Sequence, residues 1–123
     1  MVIFCNLIHF FFEKGLALFC LDELNESIEN LEKAYGLQPA YAEAYNNKGN
    51  CLMKQSKFDE AIIFYNMAIK INLEYTSPLW NKGNALAFLG RDTEANEFYQ
   101  KAILLDKKFE SLPRKSLNNL IIK

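Results

Sequence analysis

Four asparagines carry the clearest chemical potential in this sequence. Asn47 and Asn81 lie 34 residues apart, and so do Asn50 and Asn84. A primary amide presents a donor beside an acceptor, so it pairs with either group of a peptide backbone. A row of such amides grips an extended chain without reading its side chains closely. The competing reading is a set of solvated polar residues in a recurring Lys-Gly-Asn consensus, at 48–50 and 82–84. Reactive groups are scarce. The one histidine, His9, lies four residues before Glu13, and two ligands do not make a metal site. There is no Gly-rich phosphate loop and no GxSxG motif. Glu26, Glu60 and Glu94 recur at one interval, which suits charge at helix entries better than acid–base work. Without a nucleophile, base and stabiliser in one constellation, the chain reads as a non-enzyme that needs no cofactor and no metal. Cys5, Cys20 and Cys51 are odd in number and have neither CxxC nor metal-ligand spacing. They read as small core residues in a reducing, cytoplasmic setting.

Composition bounds the partners. The chain has 123 residues, half of them apolar, and a net charge of -1. That is enough for one domain with a core, and the charge gives no general attraction to nucleic acid or to an anionic membrane. Five glycines and three prolines favour long helices over a strand-and-turn architecture. The opening MVIFCNLIHFFF lacks a basic flank and a small-residue cleavage site, so it does not read as a secretory signal. Glu13 and Lys14 interrupt it before the roughly 18 apolar residues that a membrane span needs. Asn25-Glu26-Ser27 matches the glycosylation pattern, which without a secretory signal reads as chance.

The elements that must position the amides follow from a repeat of 34 residues. Gly15, Gly49 and Gly83 align at that offset, as do Lys14, Lys48 and Lys82, and Leu18, Leu52 and Leu86. Ser27, Ala61 and Ala95 align as small residues, Leu31, Tyr65 and Tyr99 as large ones, and Ala34, Ala68 and Ala102 again as small. No gap is needed across three copies. Within the second copy, Tyr45, Lys48, Gly49 and Leu52 share one helical face, and Ala61, Tyr65 and Ala68 share another. Gln55-Ser56-Lys57 is the short polar turn between them, which makes the pair antiparallel. The third copy turns at Gly90-Arg91-Asp92, with Gly90 suited to a helix C-terminus, and Asp59 and Asp92 are expected to cap the helices that follow. A mid-helix glycine costs about 1 kcal/mol against alanine, so its recurrence predicts close approach of a partner helix.

These residues resemble the tetratricopeptide repeat. That family places a bulky residue, Leu-Gly and a second bulky residue on helix A, then Ala, an aromatic and Ala on helix B, with Pro closing the unit. The second copy carries Tyr45, Gly49, Leu52, Ala61, Tyr65 and Ala68. The third carries Leu79, Gly83, Leu86, Ala95, Tyr99 and Ala102, and the first Phe11, Gly15, Leu18, Leu31, Ala34 and Pro39. Lys48 and Lys82 stand where Leu is usual, Ser27 where Ala is usual, and Leu73 and Lys107 where Pro is usual. The resemblance implies an all-α, right-handed superhelical solenoid of three helix-turn-helix repeats, at 8–41, 42–75 and 76–109. Residues 110–123, with Pro113 in a first turn and Leu117, Leu120 and Ile121 as an apolar stripe, are expected to form a helix that caps the stack.

In this family helix A supplies the concave face. Carried over, the peptide-binding surface comprises Asn46, Asn47, Asn50 and Met53 of the second copy, Trp80, Asn81, Asn84 and Phe88 of the third, and Lys115 near the far end. This resembles the asparagine ladder of some tetratricopeptide superhelices. The family's two-carboxylate clamp fits less well. Its positions fall on Phe12, Leu16, Asn47, Ser77 and Asn81, or one unit on, on Asn46, Asn50, Asn81, Ser111 and Lys115, and a clamp for two carboxylates needs several cations. Phe12, Leu16 and Phe19 form a candidate apolar interface on the first helix. The function implied is a protein-interaction scaffold that holds an extended peptide or a helix of a partner. The alternative is an oligomerising fragment of a larger protein that associates through its N-terminal helix.

Overall fold

The computed structural model describes residues 2–114 and 120–122. Six helices follow one another: α1 Val2–Cys20, α2 Leu24–Leu37, α3 Ala42–Lys54, α4 Phe58–Ile71, α5 Thr76–Phe88 and α6 Asp92–Leu105, then a short 3₁₀ turn, Lys107–Ser111. No strand occurs among the described residues. Each odd helix pairs with the next even one, and the hairpins stack through α2 on α3 and α4 on α5. The odd helices also meet one another, α1 on α3 and α3 on α5. The result is an all-α helical-repeat solenoid with the odd helices gathered on its inner side.

The repeating glycines hold the hairpins together at close range. A Cβ on Gly49 would lie 2.5 Å from Tyr65 Cε1, one on Gly83 2.7 Å from Tyr99 Cε1, and one on Gly15 2.8 Å from Leu31 Cδ2. The large helix-B residue therefore lies directly over the helix-A glycine in every copy. Ser27, in place of alanine, uses its hydroxyl to donate 2.6 Å to the carbonyl of Gly15 and accepts from Cys51 Sγ at 3.4 Å. The lysines in place of leucine also have a repeated use. Lys48 Nζ sits 4.0 Å from the ring centre of Phe64, and Lys82 Nζ 4.0 Å from that of Phe98. Both rings lie sixteen residues downstream, and an ammonium over an aromatic face is attracted by the ring quadrupole.

The turns repeat too. Asp22, Ser56 and Gly90, spaced by 34, adopt left-handed backbone, with φ of 63°, 60° and 77°. In each, the amide of that residue reaches the carbonyl three back (Phe19, Met53, Ala87), and the next amide reaches the carbonyl five back (Leu18, Leu52, Leu86). This doubly bonded closure satisfies the helix's last carbonyls without any side chain. The expected caps differ. Lys57 and Arg91 occupy the positions before α4 and α6 and make no side-chain cap bond, while Asp59 and Asp92 lie inside the first turns. There they act on the positive end of the helix as charges.

Four further expectations are corrected. Only Cys51 is buried, while Cys5 and Cys20 are exposed. They lie on α1, whose outer face has no helix against it among the described residues. That helix runs unbroken through Glu13 and Lys14 for 19 residues, and by length and composition it is long and apolar enough to cross a bilayer. Phe12 and Phe19 are not its exposed apolar surface. They are buried in a cluster with Leu31, Ala34, Ala44 and Cys51, with Leu16 partly buried against it, because helix-A residues facing the next repeat are covered by it. The exposed set is Val2, Ile3, Phe4, Leu7 and Phe10. Finally, residues 110–123 do not form the expected capping helix where they are described. Lys107–Ser111 is a 3₁₀ turn, and Leu120, Ile121 and Ile122 have no regular secondary structure. Lys115 and Leu117 lie outside the described residues.

Candidate peptide groove

The C-terminal segment lies across the inner faces of α3 and α5. The carbonyl of Ile121 accepts from Asn81 Nδ2 at 2.7 Å, from Asn46 Nδ2 at 3.0 Å and from Asn50 Nδ2 at 3.2 Å. The Ile121 amide donates to Asn81 Oδ1 at 2.9 Å. Asn81 therefore reads both backbone groups of one residue with one side chain, the pairing that an amide's adjacent donor and acceptor permit. Each amide is held in turn. Asn81 Nδ2 also donates to Asn46 Oδ1 at 3.1 Å, and Asn50 Oδ1 accepts from the Tyr65 hydroxyl at 2.6 Å. With their oxygens engaged, Asn46 and Asn50 turn their NH2 groups to the Ile121 carbonyl.

Of the four aligned asparagines, the structure brings Asn50 and Asn81 to the bound backbone, joined by Asn46. Asn47 is a step removed. Its Oδ1 accepts from Asn50 Nδ2 at 3.3 Å, and its Nδ2 has no hydrogen-bond partner. Asn84 is anchored by the Tyr99 hydroxyl, 2.6 Å from its Oδ1, repeating the Tyr65–Asn50 pair one unit on. None of the five is at the surface; each is fully buried. Although rich in polar residues, α3 is buried at eleven of its thirteen positions, packed between its neighbouring helices and, at Asn46 and Asn50, under the C-terminal segment. Met53 belongs to the cluster against which Leu120 and Phe88 pack, and Trp80 to the one against which Ile121 packs.

The tyrosines that set the amides are the functional residues missed in the sequence. A signal for them exists. Leu16, Asn50 and Asn84 align, and so do Leu31, Tyr65 and Tyr99. The first copy lacks the amide and the hydroxyl together, which marks them as one device. Burial, with a smaller effect from Cys51, pushes the Tyr65 hydroxyl well above its usual pKa, so it remains a donor across ordinary pH. Among the described residues, no group of three or more His, Cys, Asp or Glu side chains is placed to hold a metal ion.

Tetratricopeptide-repeat family models match residues 8–41, 42–75 and 77–109. The chain belongs to the tetratricopeptide repeat family. Among solved structures, that of MamA is similar with a TM-score of 0.77 and 27% identity, over 85% of this chain and 61% of that one. This tetratricopeptide chain thus spans about three fifths of MamA. The first tetratricopeptide domain of Spaghetti (RPAP3), bound to the HSP90 peptide SRMEEVD, superposes with a TM-score of 0.79 at 24% identity, over 81% of this chain and 79% of that one. The Arabidopsis OM64 domain superposes with a TM-score of 0.81 at 22% identity, over 84% and 85%. The last two show the shared fold. A search of the curated proteins finds no significant match.

Proposed function

We propose that this tetratricopeptide chain is a protein-interaction scaffold whose concave groove holds an extended peptide segment of a partner by its backbone. The observation that carries this is the closure of Asn46, Asn50 and Asn81 on the carbonyl of Ile121, with its amide on Asn81. Those contacts use only groups that every non-proline peptide residue offers. The Spaghetti domain bound to an HSP90 peptide supports a groove function on this fold. An acidic C-terminus is a poorer fit here, because Ser111 stands at one of the clamp's cation positions. The test is to pan a random peptide library on the full chain with Leu120, Ile121 and Ile122 changed to serine. Enrichment that disappears with Asn50→Ala/Asn81→Ala supports the reading. Enrichment that survives the double change contradicts it.

A second reading rests on a separate observation. Val2 and Ile3 are about three-quarters exposed and Phe4 and Phe10 more than half, an apolar surface of the kind that marks interfaces. In this reading the chain self-associates through α1. Light scattering across a concentration series should then show a dimer or larger species that Phe4→Glu/Phe10→Glu dissociates. A monomer at every concentration counts against it.

A further inference from the structure

We infer that the C-terminal segment Leu120–Ile122 is a built-in competitor for the groove, and that the partner segment the groove takes shares its chemistry: an extended, uncharged stretch with aliphatic side chains on both sides of a backbone-read residue. The inference rests on the peptide-holding function proposed above and adds the class of ligand and its control. The seated segment satisfies the groove as a ligand does. Both polar groups of Ile121 are engaged by Asn81. Its neighbours share a side that Ile121 does not: Leu120 and Ile122 pack against the cluster containing Phe12, Phe19 and Cys51, Leu120 also against the one containing Met53, and Ile121 against the one containing Trp80. Alternate residues facing opposite ways is the habit of an extended chain, so three consecutive aliphatic residues fill apolar surface on both sides of one hydrogen-bonded residue. No ion pair involves the segment among the described residues. Backbone contacts carry no sequence information, so selectivity lies in the aliphatic flanks.

The occupant stays half-exposed. Leu120, Ile121 and Ile122 are all of intermediate burial, whereas the amides beneath them are fully buried. The segment therefore lies over the groove like a ligand and is not an interior strut. A tethered ligand meets its site at an effective concentration of about millimolar, and a free partner segment must displace it. The apparent affinity of the chain falls by the fraction of time the groove is open.

The experiment uses the full chain and, as probe, a fluorescein-labelled peptide with the sequence of residues 117–123, read by anisotropy. The Leu120→Ser/Ile121→Ser/Ile122→Ser chain should bind this probe about tenfold or more tightly than the unaltered chain. A probe with serine at the same three positions should not bind. Equal binding by altered and unaltered chains overturns the competition, and equal binding of the serine probe overturns the aliphatic class. Ile121→Ser alone, checked by circular dichroism, gives the same reading with the smallest change to the fold. Light scattering adds one more outcome: an unaltered dimer that the serine variant dissociates would place the segment in a neighbour's groove and overturn self-competition. Failure of the tail probe while panned peptides still bind through Asn50 and Asn81 sinks this inference alone. Binding that ignores Asn50→Ala/Asn81→Ala sinks the proposed function.

Discussion

The Tyr65 hydroxyl and the Asn50 amide, 2.6 Å apart, join the core of a hairpin to the inner surface that holds the Ile121 backbone. Tyr65→Phe removes the donor and leaves a buried amide oxygen unmet, which costs about 1–3 kcal/mol. Urea unfolding should show that loss, and tail contact by Asn50 should weaken with it. The glycine beneath the ring is as demanding. Gly49→Ala gains about 1 kcal/mol of helix propensity, but its Cβ would meet the Tyr65 ring at 2.5 Å, and overpacking costs about 1–3 kcal/mol. Gly36 offers the contrast, since nothing lies within 4 Å of its Cβ position. Gly36→Ala should raise the midpoint of thermal unfolding while Gly49→Ala lowers it. Burial pushes the Cys51 thiol up to about 11, so a thiol reagent at neutral pH should label Cys5 and Cys20 quickly and Cys51 only on unfolding. For Lys48, burial works against the charge, yet hydrogen bonds to Glu32 and Tyr35 outweigh it and raise its pKa. Its stabilisation is complete below the ordinary lysine pKa and is lost only as pH rises through the higher folded value. The steric use of the glycines was legible from recurrence at a mid-helix cost. The Tyr–Asn bond was not, because alignment by size alone groups Leu31 with Tyr65 and Tyr99 and hides the hydroxyl.

Six helices and two of the three hairpin turns were readable from spacing, since the apolar faces and the polar turn residues repeat in step. What the turns needed was not. The left-handed position is filled by Asp22, Ser56 and Gly90 in turn, and only the glycine announces itself. The caps were misplaced for a related reason: the helix C-terminus is closed by backbone bonds to the two turn residues, so the next helix begins without a side-chain cap. A side chain in left-handed backbone costs about 1 kcal/mol or more. Ser56→Gly should therefore stabilise the fold by about that amount, and Gly90→Ala should destabilise it similarly, both measurable as shifts in the urea midpoint at unchanged slope.

At the scale of the molecule, the odd helices build a groove and the chain's own end enters it. Helical periodicity in residues 110–123 pointed instead to a cap. Leu120 and Ile121 do contribute apolar surface, but the inner face offers them a better site, because unpaired buried amides need backbone partners that a helix has already used within itself. The energies explain why such an occupant can leave. Three half-buried aliphatic side chains contribute about 1 kcal/mol each, and the Ile121 hydrogen bonds about 1 kcal/mol apiece. Ordering three residues costs about 2 kcal/mol each in backbone and side-chain freedom. The two sides nearly balance, which suits a weakly held segment. The most direct test is hydrogen exchange at the Ile121 amide, resolved by NMR in the full chain. Exchange should be slower than in a free peptide and return to the free rate in Asn81→Ala. Exchange at the free rate in the unaltered chain would contradict this seating of the tail.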